Sequence, residues 1–166
     1  SIMKNIDWSN LPFGYMRTDY NVRCYYRNGE WGALELCSEE TINLHMAATC
    51  LHYGQEGFEG LKAYRGKDGK IRIFRPEANA ERLQSTCRGI LMPELPTELF
   101  VNAVKKVVKA NERFIPPYES GAALYIRPLL IGTSAQVGVH PASEYLFVIF
   151  VTPVGPYFKG GFCPNP

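Results

Sequence analysis

The chain has 166 residues, 46% of them hydrophobic and 20% charged, with a formal net charge of +2. This size and apolar content suit one globular domain with a buried core and exclude a disordered chain. No apolar run reaches the roughly 18 residues of a membrane helix, the first residues carry no signal-like apolar stretch, and the near-neutral charge gives no reason to expect nucleic acid.

After an irregular lead around Trp8 to Gly14, Tyr20–Arg27 and Trp31–Leu36 read as strands. Asn28-Gly29 between them is a strong hairpin signal, because both residues tolerate positive φ. A second hairpin is predicted from 61–65 and 70–74 around Gly66-Lys67-Asp68-Gly69, with apolar residues alternating at 61, 63, 71 and 73. Pro76 and Glu77 suit a first helical turn, and Leu83, Cys87 and Ile90 continue at helical spacing. A second helix is expected from Thr97, as N-cap, to about Phe114, where Pro116-Pro117 ends it. Its apolar residues at 100, 101, 104, 107 and 108 form one stripe, and Lys105, Lys106 and Lys109 fall on a solvated face.

Two long apolar strands, 122–132 and 145–153, complete the order. Hairpins followed by segregated helices predict an α+β fold, an antiparallel sheet of about six strands with helices packed on one face. Beyond Pro153 the composition turns to glycine and proline. Residues 1–154 are therefore expected to form the domain and 155–166 to begin a linker toward a second domain absent from this sequence.

Five widely spaced cysteines without a C-x-x-C pair support neither a disulfide framework nor a zinc site. They read as small hydrophobes in a reducing, cytoplasmic compartment. His45, His52 and His140 show no ligand spacing, so no metal is expected. Four other features could carry chemistry. The stretch 51–60 packs Gly54, Gly57 and Gly60 among aromatic and acidic residues, which permits tight turns and close approach by a ligand. Tyr125 and Arg127 project from one face of an apolar strand, where the guanidinium serves either an internal salt bridge or a function. Arg82 lies on the first helix, as a surface residue or an anion ligand. Val137 and Val139 stand in a loop between hydrophobic strands, packed there or facing a substrate or subunit.

Taken in order, Phe13-Gly14, Thr18-Asp19, Leu51-His52-Tyr53, Phe58-Glu59-Gly60-Leu61-Lys62-Ala63-Tyr64, Phe74-Arg75-Pro76, Glu81-Arg82-Leu83, Leu124-Tyr125-Ile126-Arg127-Pro128, Gly138-Val139 and Pro153-Val154-Gly155-Pro156-Tyr157-Phe158 resemble the branched-chain aminotransferases, fold-type IV pyridoxal-phosphate enzymes. The resemblance implies the smaller, N-terminal domain of such an enzyme, which exchanges the amino group of leucine, isoleucine or valine with 2-oxoglutarate and acts as a homodimer. It implies that Arg82 binds the phosphate of pyridoxal 5'-phosphate and that Tyr53, Phe58 and Tyr125 line the substrate pocket. Arg127 would stand beside that pocket and hold tyrosine and loop positions, and the loop of Val137 and Val139 would reach the neighbouring subunit's pocket. No lysine of this chain lies in the motif of the Schiff-base lysine, so no catalytic residue is assigned and this chain is expected to be inactive by itself. Arg17 departs from the aromatic residue that many relatives carry before Thr-Asp, with Tyr15 or Tyr20 as candidate replacements. The alternatives are a D-amino-acid aminotransferase or aminodeoxychorismate lyase relative, and a non-catalytic binding or interaction module.

Overall fold

Asn28 and Gly29 adopt φ of 54° and 82°, and the turn they make joins β1 (Asn21–Arg27) to β2 (Glu30–Trp31). The structure, a computed structural model, describes residues 6–156. Tyr157, Phe158 and Cys163, with most of the expected linker, lie outside the described residues. The strand expected over 31–36 is divided. Its second part is β3 (Glu35–Cys37), and both parts pair with β1. Trp31 faces Tyr26 and Glu35 faces Arg23, four steps on one strand against three on the other, so one extra residue is inserted and the ladder breaks there.

The second hairpin pairs β5 (Leu61–Arg65) with β6 (Ile71–Ile73), its turn closed by Gly66 N–H donating to the Lys70 carbonyl at 2.7 Å. The longest ladder joins β7 (Ala123–Gly132) to β8 (Tyr145–Val154), antiparallel from Ala123↔Val154 to Gly132↔Tyr145. Along the sheet the order is β2-β1-β8-β7-β5-β6. The expected six-stranded antiparallel sheet is therefore present, with two short additions, β3 beside β1 and β4 (Glu56–Phe58) beside β7.

Two helices cover one face of this sheet. Pro76 opens α2 (Pro76–Gly89), with Arg75 before it in the left-handed region at φ 43°. In α3 (Thr97–Ala110) the stripe 100, 101, 104, 107 and 108 is buried, and Lys105, Lys106 and Lys109 are exposed. Leu83, Phe100, Val104 and Val107 meet Val22, Leu124, Ile126, Phe147 and Ile149 in the main core. On the opposite face a smaller cluster of Ile131, Leu146 and Val148 is covered by Ile42, Leu44 and Cys50, the last on the single turn α1 (Thr49–His52). Cover on both faces explains why β8 reads as a continuous apolar run rather than an alternating one.

Two boundaries of the second helix differ from expectation. Pro96, not Thr97, occupies the N-cap, and no side chain caps that end. The Thr97 hydroxyl instead accepts from the Gln84 amide at 3.0 Å, tying α3 to α2. At the other end the helix stops at Ala110 rather than Phe114. Buried Asn111 turns the chain there: its amide oxygen accepts from Asp19 and Tyr20 N–H, both at 3.0 Å, and its nitrogen donates to the carbonyls of Tyr20 and Val107. A short 3₁₀ turn, Glu112–Phe114, follows.

The site is positioned by β4 and β5, which form one strand in register. Phe58 faces Leu129 and Leu61 faces Ile126, so Glu59 and Gly60 fall opposite Pro128 and Arg127. Glu59 N–H donates to the Pro128 carbonyl at 3.0 Å, but proline returns no N–H and the ladder is interrupted. Side chains still alternate across the break: Gly57, Glu59, Leu61 and Ala63 are buried, whereas Phe58, Gly60 and Lys62 are not. Among the described residues no helix is long and apolar enough to cross a membrane.

Candidate functional site

Phe58, Tyr125 and Arg127 meet on the sheet face opposite α2 and α3. Arg127 donates from Nε and Nη2 to the Tyr125 hydroxyl, at 3.1 and 2.9 Å, and its Cζ lies 4.6 Å from the centre of the Phe58 ring. Tyr125 is met edge-on by Phe13, with ring centroids 5.6 Å apart. Among the described residues Arg127 makes no ion pair, so its charge rests on a hydroxyl and on aromatic faces rather than on an internal salt bridge. The Tyr125 oxygen accepts both bonds, which leaves its own proton available to an acceptor outside.

Two glycines of 51–60, Gly57 and Gly60, serve close approach by parts of the chain itself, whereas Gly54 stands in open space at φ 65°. A Cβ on Gly57 would meet Thr86 and Leu83 of α2 at 3.2 and 3.4 Å, and one on Gly60 would stand 2.7 Å from the Tyr125 hydroxyl. Beside Gly60 an open depression of about 390 Å³ is lined by Lys62, Tyr64, Phe74, Asn79 and Tyr125.

Arg82 reaches the neighbouring Glu59 from α2, on the helix side of the strand. Its Nε lies 2.9 and 3.0 Å from the two carboxylate oxygens of Glu59, and its Nη2 lies 2.6 Å from Oε1. Hydrogen bonding to Glu59 first, and charge attraction second, hold Arg82 above the ordinary arginine pKa. Asn79, one turn earlier, donates to Glu59 Oε1 at 3.0 Å and to the Gly60 carbonyl at 3.3 Å. The pair is asymmetric in exposure, 68% for the Arg82 side chain against 4% for Glu59. The donors of Arg82 that do not face Glu59 include both N–H groups of Nη1, which has no hydrogen-bond partner among the described residues.

Tyr53 belongs to a second group. Its hydroxyl donates to the Val137 carbonyl, Gln136 N–H donates to the Ala47 carbonyl at 3.2 Å, and Ala48 bridges Ala135. These bonds fix the loop backbone and leave Val137 and Val139 with 87% and 85% of their surface exposed. Val137 thus meets Tyr53 through its backbone, and both valine side chains face outward. Arg17 points away from either group, 3.7 Å from Glu40, and Tyr15 donates to the same carboxylate at 2.5 Å. Tyr15 and Tyr20 line a separate cleft of about 180 Å³ with Phe150.

No family model matches the chain. It is 53% identical over 163 residues to a branched-chain-amino-acid aminotransferase of Haemophilus influenzae, covering 98% of this chain and 48% of that protein. Over nearly its whole length the chain is thus related to part of the branched-chain-amino-acid aminotransferases. It spans about half the length of the curated relatives it matches. The fold agrees: the Escherichia coli branched-chain amino acid aminotransferase superposes with a TM-score of 0.66 at 24% identity, over 86% of this chain and 42% of that one. The T.th. branched-chain amino acid aminotransferase, solved with pyridoxamine 5'-phosphate, gives a TM-score of 0.57 at 24% identity, over 76% of this chain and 39% of that one.

Three residues of this neighbourhood carried no assignment from sequence: Phe13, Glu59 and Asn79. Glu59 had a legible signal, a carboxylate at the buried phase of an alternating strand. Asn79 and Phe13 had none, because only the fold sets them beside Glu59 and Tyr125.

Proposed function

We propose that this chain supplies the phosphate grip and one wall of the substrate pocket in a pyridoxal-phosphate-dependent transaminase of leucine, isoleucine and valine. The observation that carries this reading is the 53% identity extending over 98% of the chain. The residues present suit the cofactor's phosphate. Arg82 is exposed, fixed by Glu59 at one edge and open at the other, and a guanidinium edge matches two phosphate oxygens. When bound, pyridoxal 5'-phosphate supplies the electron sink that lets an amino group be exchanged for an oxo group.

The chain's own residues do the holding. Arg82 binds the phosphate. Phe58, Tyr125 and Arg127 wall the pocket, with Tyr125 offering its O–H to a substrate oxygen and the rings excluding water from an aliphatic side chain. Tyr53 anchors the loop whose Val137 and Val139 extend the apolar wall into a neighbouring subunit of a homodimer. Residues 1–154 form the small domain, and the lysine that bonds the cofactor lies outside this chain.

The test is amino transfer by a protein extended to the full length of its relatives. Leucine, isoleucine and valine should each convert 2-oxoglutarate to glutamate well above alanine and above D-amino acids. Absence of turnover with all three, or preference for a D-amino acid, overturns the reading.

A further inference from the structure

We infer that Glu59 is the positioning residue of Arg82, holding its guanidinium so that the open edge is presented to an anion in one orientation. This rests on the reading of Arg82 as the phosphate ligand. The strand phase around Pro128 turns Glu59 toward α2, into a position where an apolar side chain would otherwise be expected. A carboxylate that is 4% exposed is costly unless it is paired and hydrogen-bonded, and three donor groups meet it: Asn79 Nδ2, Arg82 Nε and Arg82 Nη2. Asn79 and Arg82 are three residues apart on α2 and share one helix face.

The chemistry of the fork makes this arrangement directional. Glu59 occupies the Nε–Nη2 edge. The parallel donors of Nη1 and the outer hydrogen of Nη2 remain, and they form the pair that grips two oxygens of a tetrahedral anion. A long exposed arginine would otherwise lose rotamer freedom on binding, and here that freedom is already removed.

Charge and positioning demand opposite outcomes when Glu59 is replaced. Removing a negative group beside an anion site should tighten anion binding if charge alone mattered. If Glu59 positions Arg82, its removal weakens binding. The probes are pyridoxal 5'-phosphate and pyridoxal, titrated into full-length apoprotein and followed by absorbance.

Glu59→Ala should raise the Kd for pyridoxal 5'-phosphate by roughly threefold to tenfold and leave that for pyridoxal within about twofold. Glu59→Gln, whose amide oxygen still accepts from the guanidinium, should fall between. It also keeps the test open if the alanine variant does not fold. In an Arg82→Ala background the Glu59 substitution should add nothing to the ratio of the two affinities. Unchanged or tighter binding of the phosphorylated probe, or equal loss for both probes, overturns the role of Glu59. If Arg82→Ala weakens phosphate binding while Glu59→Ala does not, only the positioning role fails. If Arg82→Ala itself has no effect, the phosphate reading fails with it.

Discussion

Gly60 lies directly beneath the hydroxyl of Tyr125: a methyl group at that Cα would stand 2.7 Å from the oxygen. The obstacle is the free end of a side chain, not backbone, so Gly60→Ala is relieved by displacing Tyr125. We expect a modest stability loss, about 1 kcal/mol, seen as a melt a few degrees lower. Because the Tyr125 oxygen is what Arg127 holds, the proposed substrate wall should move with it. Full-length Gly60→Ala should show a raised KM for leucine out of proportion to the stability change. An unaltered KM would separate Tyr125 from the pocket.

Arg82 in the full-length protein should dominate cofactor retention. Charge-assisted bonds contribute about 1.5–3 kcal/mol, and about 1.4 kcal/mol is tenfold, so Arg82→Ala should weaken retention by roughly one to two orders of magnitude. Arg82→Lys should recover part, since an ammonium keeps the charge without the planar fork. Dialysis followed by the absorbance of retained cofactor reads the difference. Equal retention in all three proteins would leave Arg82 as the surface partner of Glu59.

The 166-residue chain by itself should not transfer amino groups. No lysine here lies in the family's lysine motif, and the chemistry needs a residue that bonds the cofactor and moves the proton. Incubated with leucine, 2-oxoglutarate and pyridoxal 5'-phosphate, it should form glutamate no faster than buffer does. Sustained turnover above that control contradicts the assignment.

Cys24 and Cys87 should be inert in the folded protein. Both are fully buried, and burial pushes each thiol up to about 11. Iodoacetamide at pH 8 should label the half-buried Cys37 before Cys24 and Cys87 and reach those two only in denaturant, as peptide mapping would show. The linkage has a definite sign. The fold holds these protons more tightly than the unfolded chain, so their contribution to stability is complete below about pH 9 and is lost as the pH rises toward 11. Native labelling of Cys87 as fast as Cys37 would contradict this burial.

Local rules made most of the fold readable. Asn28-Gly29, the stripe of the second helix and the two long apolar runs each correspond to one element. The strand β4 was hidden because Glu56 and Gly57, two of its three residues, carry little strand propensity; the reason for Gly57 lies in α2, distant in sequence. Thr97 looked like a cap because threonine usually is one, but Gln84 claims its oxygen. The site was legible as separate motifs, and the tie between Arg82 and the strand was not, since a surface arginine and a buried glutamate carry no joint signal until the helix crosses the sheet.

The loop bearing Val137 and Val139 is held through its own backbone, by Ala47, Ala48 and the Tyr53 hydroxyl, while both side chains stand clear. Its backbone from Ala135 to Val137 is therefore fixed before any surface arrives. Association through this loop should carry a negative heat-capacity change from the covered valine surface with little of the enthalpy and entropy of a folding transition. It would behave thermodynamically as docking of a preformed knob.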